Sequence, residues 1–337
     1  MKQNYNELPN GYMDSINLGI QAVRSFRGGL TRGNLTREES IEALVYELMH
    51  ADAVVIGAGA GLSTAAGFTY SGPRFDHYFS DFKKQFGVQD MYSAGFFPYP
   101  KEEIRWAFWA RNIYVNRYLD PPESVYRDLL ELVKGKEYFV ITTNVDHCFQ
   151  KAGFEKERLF YTQGDYGLFQ NTDPSIGCTF DNENWVQQAL ESQGFVQQPD
   201  GTWDVPTDGS LRMEIPSVLI PVSPVDGAPV TTNLRVDENF VEDEGWHRAS
   251  AAYADFLKRH HGQRVLYLEI GVGMNTPMII KYPFWALTQE NENAVYACLN
   301  FQEAYCPEQI ERRSICISGD SAEAIRALVR LEKEQDL

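Results

Sequence analysis

Residues 51–67 read ADAVVIGAGAGLSTAAG, and this stretch decides the fold. Its residues 53–57 are small or apolar and predict a short buried strand. Glycines follow at alternate positions, 57, 59 and 61, and residues 62–66 predict the first turns of a helix. Glycine lets a backbone approach an anion closely, and the free N–H groups of a helix start point towards it. The stretch therefore predicts a cradle for a phosphate group.

Composition limits the kinds of partner that the chain can have. Its 337 residues are enough for one large domain or two unequal ones. A content of 43% hydrophobic and 23% charged residues is typical of a soluble globular protein. The net charge of −17, from 30 basic and 47 acidic residues, argues against a nucleic acid or an anionic membrane as partner, since both require a basic face. A small phosphate compound remains compatible, because helix termini and a few arginines suffice to bind it.

The cysteines and the amino terminus give no sign of an extracellular or membrane protein. The five cysteines are an odd number without close spacing, so neither a disulfide framework nor a zinc ribbon is predicted. No apolar run approaches the length of about 18 residues that a membrane span needs. The first residues, MKQNYNELPNGYMDS, are polar and unlike a signal peptide. We therefore expect a cytoplasmic protein.

Strands alternate with helices along most of the chain. Thr36 and Glu39 form a capping box, which predicts a helix to about residue 50. Further strands are predicted at residues 137–142, 265–270, 294–299 and 314–317, and further helices at residues 123–134, 246–260 and from 320 onwards. This alternation predicts an α/β fold, with a Rossmann-like parallel sheet and helices on both faces.

Two segments interrupt the alternation. Residues 68–120 are rich in aromatic side chains at helical spacing and predict a helical insertion. Residues 171–239 accumulate Gly, Pro, Asp and Asn and predict a small loop-rich module, with a short strand at residues 217–221. The sheet domain is then expected to comprise residues 1–67, 121–170 and 240–337.

Polar residues directly follow the predicted strand 137–142, and another polar run covers residues 160–166. Open α/β sheets bind their ligands at the carboxyl ends of strands, so a ligand is expected there. An ordinary dinucleotide fingerprint needs a third glycine where Leu62 stands and a strand-terminal acid about 20 residues later. Asp76 lies at that distance, but in a loop-like aromatic stretch, and no P-loop lysine follows Gly61. A plain dehydrogenase and a nucleoside triphosphatase are therefore both disfavoured.

The glycine stretch and the first polar run resemble the sirtuins, a family of enzymes that consume NAD. The sirtuin GAG(I)S…G loop is matched by Ala58, Gly59, Ser63 and Gly67. The run Thr143-Asn144-Val145-Asp146 is similar to the sirtuin QN(I)D motif, with Thr in place of Gln. The resemblance implies a sirtuin-like fold and NAD as the cofactor.

The carboxyl-terminal part continues the resemblance. Residues 271–277 occupy the place of the sirtuin GTS loop, and Asn300 matches the Asn that contacts the adenosine ribose in that family. Gly319 and Asp320 match the Gly-Asp pair before the last sirtuin helix. The order and spacing of the motifs agree over residues 40–335.

Three departures from the sirtuin pattern bear on the chemistry. Gln163-Gly164 replaces the His-Gly whose histidine is the general base of deacylating sirtuins, and a carboxamide cannot take up a proton. Residues 68–75 replace the acidic-aromatic-arginine motif. The two CxxC pairs of the sirtuin zinc site correspond to Ser175…Cys178 and Ser223…Asp226. Tetrahedral zinc needs a full ligand set, so the module is predicted to lack a complete zinc site and to hold no metal.

These departures resemble one microbial branch, the macrodomain-linked or class M sirtuins. The similar segments are residues 161–167, residues 233–235 with 240–243, and residues 271–277. Members of that branch are protein ADP-ribosyltransferases that modify a lipoyl-carrier protein resembling the glycine-cleavage H protein, and a macrodomain hydrolase partner reverses the mark. The branch commonly keeps the zinc-type cysteines, so their loss here leaves open whether the same carrier docks in the same way.

The resemblance implies a set of residues that contact NAD. They are Gly57, Ala58, Gly59, Ala60, Ser63, Gly67, Arg74, Phe75, Gly271, Val272, Gly273, Asn275, Asn300, Asp320 and Ser321. Within this set, Arg74 and Phe75 are expected to cover the cofactor.

Five further residues are expected to act on the nicotinamide ribose or on the acceptor. Asn144 would hold ribose hydroxyls or a water, and Asp146 would orient the nicotinamide amide or stabilise the cationic transition state, or else cap a helix. Gln163 would hold the ribose without deprotonating it, and Asp165 is the nearest candidate base. Arg235 would pair with a phosphate or with the acceptor, or else form a surface ion pair.

The sequence favours NAD-dependent mono-ADP-ribosylation of a protein and leaves two alternatives open. One is a protein-lysine deacylase in which Asp165 or a histidine replaces the missing base. The other is an NAD glycohydrolase, or a module that senses NAD without turning it over.

Overall fold

The computed structural model describes residues 8–274 and 276–335. Its α-helices are α1 Gly11–Ser25, α2 Arg37–His50, α3 Ala60–Ala65, α4 Pro73–Phe86, α5 Met91–Gly95, α6 Glu102–Ile113, α7 Val125–Val133, α8 Cys148–Ala152, α9 Glu183–Gln193, α10 Glu244–Arg259, α11 Lys281–Glu290 and α12 Ser321–Gln335. No helix in the described ranges has the length and apolar character that crossing a membrane would require.

The β-strands are mostly short. They are β1 Leu30–Thr31, β2 Ala53–Ala58, β3 Tyr138–Thr142, β4 Leu159–Tyr161, β5 Gly164–Asn171, β6 Thr179–Asp181, β7 Val196–Gln197, β8 Trp203–Asp204, β9 Val230–Leu234, β10 Val265–Ile270, β11 Val295–Asn300, β12 Cys306–Pro307 and β13 Ser314–Ser318.

The chain divides into two compact units. Unit 1 comprises residues 1–67, 121–163 and 242–337, and unit 2 comprises residues 68–120 and 164–241. The two segments that interrupt the strand–helix alternation thus belong to one unit. The sequence-based boundary at residue 170 lies inside β5.

Unit 1 is built on a six-stranded sheet in the order β13-β11-β10-β2-β3-β4, and every neighbouring pair is parallel. All residues of β2, β3 and β10 are buried, as expected for strands that are covered on both faces. Helices α2, α7 and α12 pack together as one group, and α1, α10 and α11 form a second group. The predicted Rossmann-like fold with helices on both faces is confirmed.

Local sequence signals set the ends of several elements in unit 1. Thr36 Oγ1 accepts from the Glu39 N–H at 3.2 Å, and Glu39 Oε2 accepts from the Thr36 N–H at 2.8 Å, so the predicted capping box is confirmed. On α2 the buried face is formed by Ile41, Leu44, Val45 and Leu48 together with Ser40. The Asp320 carboxylate accepts from the Ala322 N–H at 2.7 Å, which caps the start of α12.

Unit 2 contains the antiparallel sheet β6-β5-β9 and the hairpin β7-β8. Its two chain segments are joined by Arg111 of α6, which is fully buried. The guanidinium donates to both carboxylate oxygens of Asp81, at 2.8 and 3.0 Å, and to Gln193 Oε1 of α9 at 2.7 Å. Burial of a charge is tolerated only when it is paired and hydrogen-bonded, and Arg111 meets that condition.

Two parts of the sequence-based description need correction. The strand predicted at residues 217–221 is wrong, because Ser217–Leu219 forms a single 3-10 turn. The module expected to be rich in loops also contains α9, a helix of 11 residues that buries Val186, Ala189 and Leu190. The helix was missed because only these few apolar residues mark its buried face in an otherwise polar stretch.

Candidate active site

The order of strands in unit 1 creates a crevice between β2 and β10. From β2 the chain adds β3 and β4 on one side, and it then returns to add β10, β11 and β13 on the other. In sheets of this kind, ligands bind at such a reversal, outside the carboxyl ends of the strands. Gly59 follows β2 and Gly271 follows β10, so the predicted glycine turn lies at this crevice.

The turns after β2 and β10 are in backbone contact. The Gly59 N–H donates to the Ile270 carbonyl at 3.0 Å, and the Gly61 N–H donates to the Gly271 carbonyl at 2.9 Å. A Cβ on Gly59 would lie 2.7 Å from Gly271 O, and one on Gly61 would lie 2.6 Å from Gly271 Cα. Glycine is required at both positions because the turns touch, and both N–H groups are already paired with protein carbonyls.

Gly57 and Gly67 have structural reasons of their own. Gly57 lies inside β2, where a Cβ would overlap Ile280 and Phe284. Gly67 has φ +94°, a backbone conformation that favours glycine, and its position is packed against Pro122. Contact of these two glycines with NAD stays a prediction.

Four side chains of unit 1 form a buried hydrogen-bonded chain behind the glycine turn. Ser63 Oγ donates to Asp146 Oδ2 at 2.5 Å and lies 2.9 Å from the Tyr126 hydroxyl. Asn144 Nδ2 donates to the Tyr126 hydroxyl at 3.2 Å and to the Gly59 carbonyl at 3.0 Å. Three of the predicted site residues, Ser63, Asn144 and Asp146, are thus brought together, and Gly59 is tied to them.

The fourth member of this chain, Tyr126 of α7, was not predicted as a site residue. It is 1% exposed, and burial, followed by the nearby Asp146 carboxylate, raises the pKa of its hydroxyl well above the usual value. The hydroxyl is therefore protonated throughout the physiological range. In the sequence, Tyr126 lies on the apolar face of an amphipathic helix, where nothing distinguishes it from a core residue.

A strained turn holds Asp146 in place. The next residue, His147, has φ 64° and is the one non-glycine residue with positive φ in the described ranges. This left-handed conformation brings the Cys148 N–H to Asp146 Oδ1, at 3.0 Å. Such strain persists only where the surroundings impose it, and it is commonly found at functional sites.

Gln163 follows β4 at the same edge of the sheet and is held more loosely. Its Nε2 donates to Thr162 Oγ1 at 3.3 Å, and the side chain is half-buried. Thr162 itself is fixed, since its N–H and its hydroxyl both donate to the Thr142 carbonyl, at 2.9 and 3.1 Å.

The adenosine side of the predicted site also lies in unit 1. Asn300 Nδ2 donates to the Val272 carbonyl at 3.1 Å, and the Gly319 N–H donates to the Asn300 carbonyl at 3.1 Å. These bonds connect the ends of β10, β11 and β13, with Gly273 in the turn after β10 and Asp320 and the buried Ser321 at the start of α12. Asn275 lies outside the described residues.

Asp165 and Arg235 belong to unit 2. Asp165 is buried, and its Oδ1 lies 2.7 Å from Arg117 Nε and accepts from the Gly167 N–H at 2.7 Å. The guanidinium of Arg235 lies over the ring of Phe240, 4.2 Å from its centroid. The Asp165 oxygen that pairs with Arg117 is already engaged, so the role of Asp165 as a base stays a prediction that this contact disfavours.

Arg74 and Phe75 also belong to unit 2, at the start of α4. Arg74 donates to the Thr69 carbonyl at 3.0 Å and to Asn116 Oδ1 at 2.9 Å. Phe75 is fully buried and stacks on Phe79 with a centroid distance of 5.4 Å. Both side chains are engaged inside unit 2, and their expected role as a cover for the cofactor stays a prediction.

Two of the positions that match the sirtuin zinc ligands, Ser223 and Asp226, carry hydrogen-bonded side chains. Asn171 Nδ2 donates to both carboxylate oxygens of Asp226 at 3.1 Å. Hydrogen bonds from Ser223 and from the Ala228 N–H lower the pKa of Asp226. No three His, Cys, Asp or Glu side chains within residues 8–274 and 276–335 are grouped so that they could hold a metal ion.

The fold is shared with solved Sir2 enzymes. One of these matches with a TM-score of 0.52 and 16% identity, over 88% of this chain and 99% of its own. A Sir2 homologue in complex with NAD matches with a TM-score of 0.52 and 16% identity, over 87% of this chain and 94% of its own. The architecture is therefore that of a sirtuin.

The particular family is established by closer relatives, although no family model matches the chain. A protein ADP-ribosyltransferase from Staphylococcus aureus is 36% identical over 296 residues, which are 87% of this chain and 88% of that protein. A probable bifunctional ADP-ribose hydrolase/ADP-ribosyltransferase from Fusarium oxysporum f. sp. cubense is 31% identical over 294 residues, which are 84% of this chain and 46% of that protein. The chain thus spans less than half of its fungal relative. It belongs to the protein ADP-ribosyltransferases of the sirtuin family.

Proposed function

We propose that this enzyme cleaves the nicotinamide–ribose bond of NAD and transfers the ADP-ribose to a protein acceptor. The observation that carries the proposal is the pair formed by a fixed Asn144–Asp146 loop and the carboxamide of Gln163 at the same edge of the sheet. The Asn144–Asp146 loop is suited to stabilise a cationic ribose. The Gln163 carboxamide can hold a ribose by hydrogen bonds but cannot deprotonate it. The relationship to named protein ADP-ribosyltransferases supports the same reaction.

In this reaction the bond between the ribose C1′ and the pyridinium nitrogen breaks, and nicotinamide leaves with the bonding electron pair. The ribose becomes oxocarbenium-like and positively charged. The Asp146 carboxylate, held in place by Ser63 and the Cys148 N–H, would stabilise that charge or orient the nicotinamide amide. The acceptor nucleophile then forms the new bond to C1′ and releases its proton to solvent water.

Deacylation has less support, because it needs a base at the ribose. Gln163 cannot serve, and Asp165 is already paired with Arg117 at 2.7 Å. Hydrolysis of NAD needs only water as the acceptor and is separated from protein transfer by experiment.

The test uses NAD labelled in its adenylate and a lysate from which small molecules have been removed. We expect label on a discrete protein, its loss in Asn144→Ala and a weaker label in Gln163→Ala. Nicotinamide release without labelled protein would instead identify a glycohydrolase. Formation of free acyl-ADP-ribose from an acyl-lysine peptide at a comparable rate would identify a deacylase and contradict the proposal.

For the acceptor we propose a lipoyl-carrier protein resembling the glycine-cleavage H protein. The support is the resemblance of residues 161–167, 233–235 and 271–277 to class M sirtuins. Purified carrier with and without the lipoyl group, incubated with enzyme and labelled NAD, provides the test. We expect label only on the lipoylated form, and equal labelling of an unrelated acidic protein would exclude this acceptor.

We also propose that a macrodomain hydrolase removes the modification. The support is the fungal relative, whose name combines an ADP-ribose hydrolase with an ADP-ribosyltransferase. A macrodomain encoded beside this chain should release ADP-ribose from the labelled acceptor. Acceptor that keeps its label in the presence of an active macrodomain would contradict this partner.

A further inference from the structure

The hydrogen-bonded chain behind the glycine turn has one permitted direction. The Asp146 carboxylate accepts from the Cys148 N–H through Oδ1, and the single Ser63 hydroxyl hydrogen points to its other oxygen, Oδ2. Ser63 Oγ must then accept from the Tyr126 hydroxyl, 2.9 Å away, which commits the single hydrogen of that hydroxyl. Tyr126 in turn can only accept from Asn144, whose amide nitrogen lies 3.2 Å away.

This order fixes the orientation of the Asn144 amide. Its two Nδ2 hydrogens go to the Tyr126 hydroxyl and to the Gly59 carbonyl, both of which can only accept. The reversed amide would place Oδ1 against two acceptors, so it is excluded. Oδ1 is therefore left on the opposite side of the amide.

The side-chain oxygen of Asn144, Oδ1, is available to a ligand. It accepts no hydrogen bond from any residue within the ranges that the structure describes. In those ranges, two side-chain polar atoms are fully buried and lack a hydrogen-bond partner, Tyr253 Oη and Trp285 Nε1. Asn144 Oδ1 is not one of them, so it is not fully buried. Oδ1 is thus an acceptor on the side of the amide that faces away from Tyr126 and Gly59.

We propose that Tyr126 is a positioning residue, which transmits the charge of Asp146 through Ser63 to present Asn144 Oδ1 to the ribose hydroxyls. The inference rests on the proposed cleavage of NAD. It assigns to one buried hydroxyl the link between two residues that act on the substrate. Because the chain is continuous, the contributions of its members are coupled rather than independent.

Tyr126→Phe, Ser63→Ala and the double variant test the proposal by nicotinamide release. Each single change should lower kcat about 10-fold while the KM for NAD stays within about 2-fold, since a hydrogen bond that orients a reacting group is lost. In the double variant, kcat should be no lower than in the more impaired single variant, because one break already interrupts the hydrogen-bonded chain. The proposal would be overturned if the two reductions in kcat multiplied in the double variant. A change in KM alone, or an unchanged kcat in the single variants, would overturn it as well.

Matched variants separate positioning from stability. Ser63→Thr keeps the hydroxyl and should recover most of the kcat lost in Ser63→Ala. Tyr267→Phe removes the hydroxyl of another buried tyrosine of unit 1, on β10, and should leave kcat within about 2-fold. If Tyr267→Phe lowers kcat as much as Tyr126→Phe does, the effect is structural and the proposal fails.

A second readout does not depend on turnover. In the folded enzyme both Nδ2 protons of Asn144 are hydrogen-bonded, so its side-chain NMR signals should exchange slowly with solvent. Tyr126→Phe should accelerate that exchange about 10-fold, and Tyr267→Phe should not. Fast exchange in the unmodified enzyme would contradict the inference, even if the proposed transferase activity were absent.

Discussion

The loop formed by residues 143–146 and the segment formed by residues 162–163 end neighbouring parallel strands, yet they are held very differently. In the first, Asn144 and Asp146 are buried, and each makes at least two hydrogen bonds. In the second, the half-buried Gln163 side chain makes one hydrogen bond, at 3.3 Å, to the described part of the chain. Two strand ends at one edge of a sheet therefore offer one fixed and one adjustable side chain.

The difference suits a reaction with two demands. Cleavage of the nicotinamide bond produces a defined charge at a defined place, and groups that are already oriented stabilise it without reorganisation. Transfer to a macromolecular acceptor requires the ribose to be held while the acceptor approaches. We therefore expect changes in the loop to affect cleavage strongly, and changes at Gln163 to affect it less.

The largest effect is expected from Asn144→Ala. It removes the amide that is held by Tyr126 and Gly59, and kcat for nicotinamide release should fall about 10²- to 10³-fold. Asn293→Ala is a matched control, because Asn293 is exposed and its Nδ2 donates to the Gly262 carbonyl before β10. A loss of less than about 3-fold in Asn144→Ala would show that the fixed loop does not act on the ribose.

Gln163→Ala should have a smaller effect. Since the carboxamide makes one long hydrogen bond to residues that the structure describes, its removal should lower kcat about 10-fold and leave the melting temperature unchanged. Steady-state nicotinamide release and thermal unfolding measure the two quantities. Equal losses in Gln163→Ala and Asn144→Ala would remove the distinction between the two strand ends.

Gln163→His sharpens the same comparison by adding a proton acceptor. Gln163 does not titrate, whereas histidine titrates at about pH 6.5 and acts as a base only when neutral. Activity that depends on this base should rise as pH increases through about 6.5, a step absent in the unmodified enzyme. The pH profile of acyl-lysine deacylation is the measurement. An identical deacylation profile in both enzymes would show that residue 163 does not approach the ribose.

The smallest effect concerns the strained turn beside Asp146. His147→Gly and His147→Val both remove the imidazole, but only glycine adopts φ 64° without strain. The glycine variant should be more stable than the valine variant by about 1–2 kcal/mol in urea unfolding. Equal stabilities would mean that the turn relaxes and that the loop is not rigid.

Local signals in the sequence predicted most of unit 1. The alternation of apolar strands with amphipathic helices, the Thr36–Glu39 capping box and the polar residues after β3 are all encoded within short windows. The crevice between β2 and β10 follows from strand order, which the alternation predicts only as a class of fold. The helix Lys281–Glu290 was missed, because Pro283 near its start looks like a break although proline is tolerated in a first turn.

The rest depends on contacts between distant residues, which no short window contains. Tyr126 becomes a site residue only through Ser63 and Asn144. Asp165 looks like a free carboxylate until the fold brings Arg117 to it. The glycines of the turn after β2 suggested a phosphate cradle, but the Gly59 N–H donates to Ile270 at the end of β10 and the Gly61 N–H donates to Gly271 in the turn that follows.

The turns after β2 and β10 pack backbone against backbone, so the residues of one turn limit which residues the other can have. A chimera of two related enzymes with its crossover anywhere between Gly61 and Gly271 takes one turn from each parent. A Cβ at position 271 would lie 2.5 Å from Leu62 N. A parent with a residue other than glycine at position 271 therefore supplies a turn that clashes with the turn after β2 from the other parent. A chimera with such a crossover should therefore fold only when one parent supplies glycine at positions 59 and 61 and the other supplies glycine at position 271.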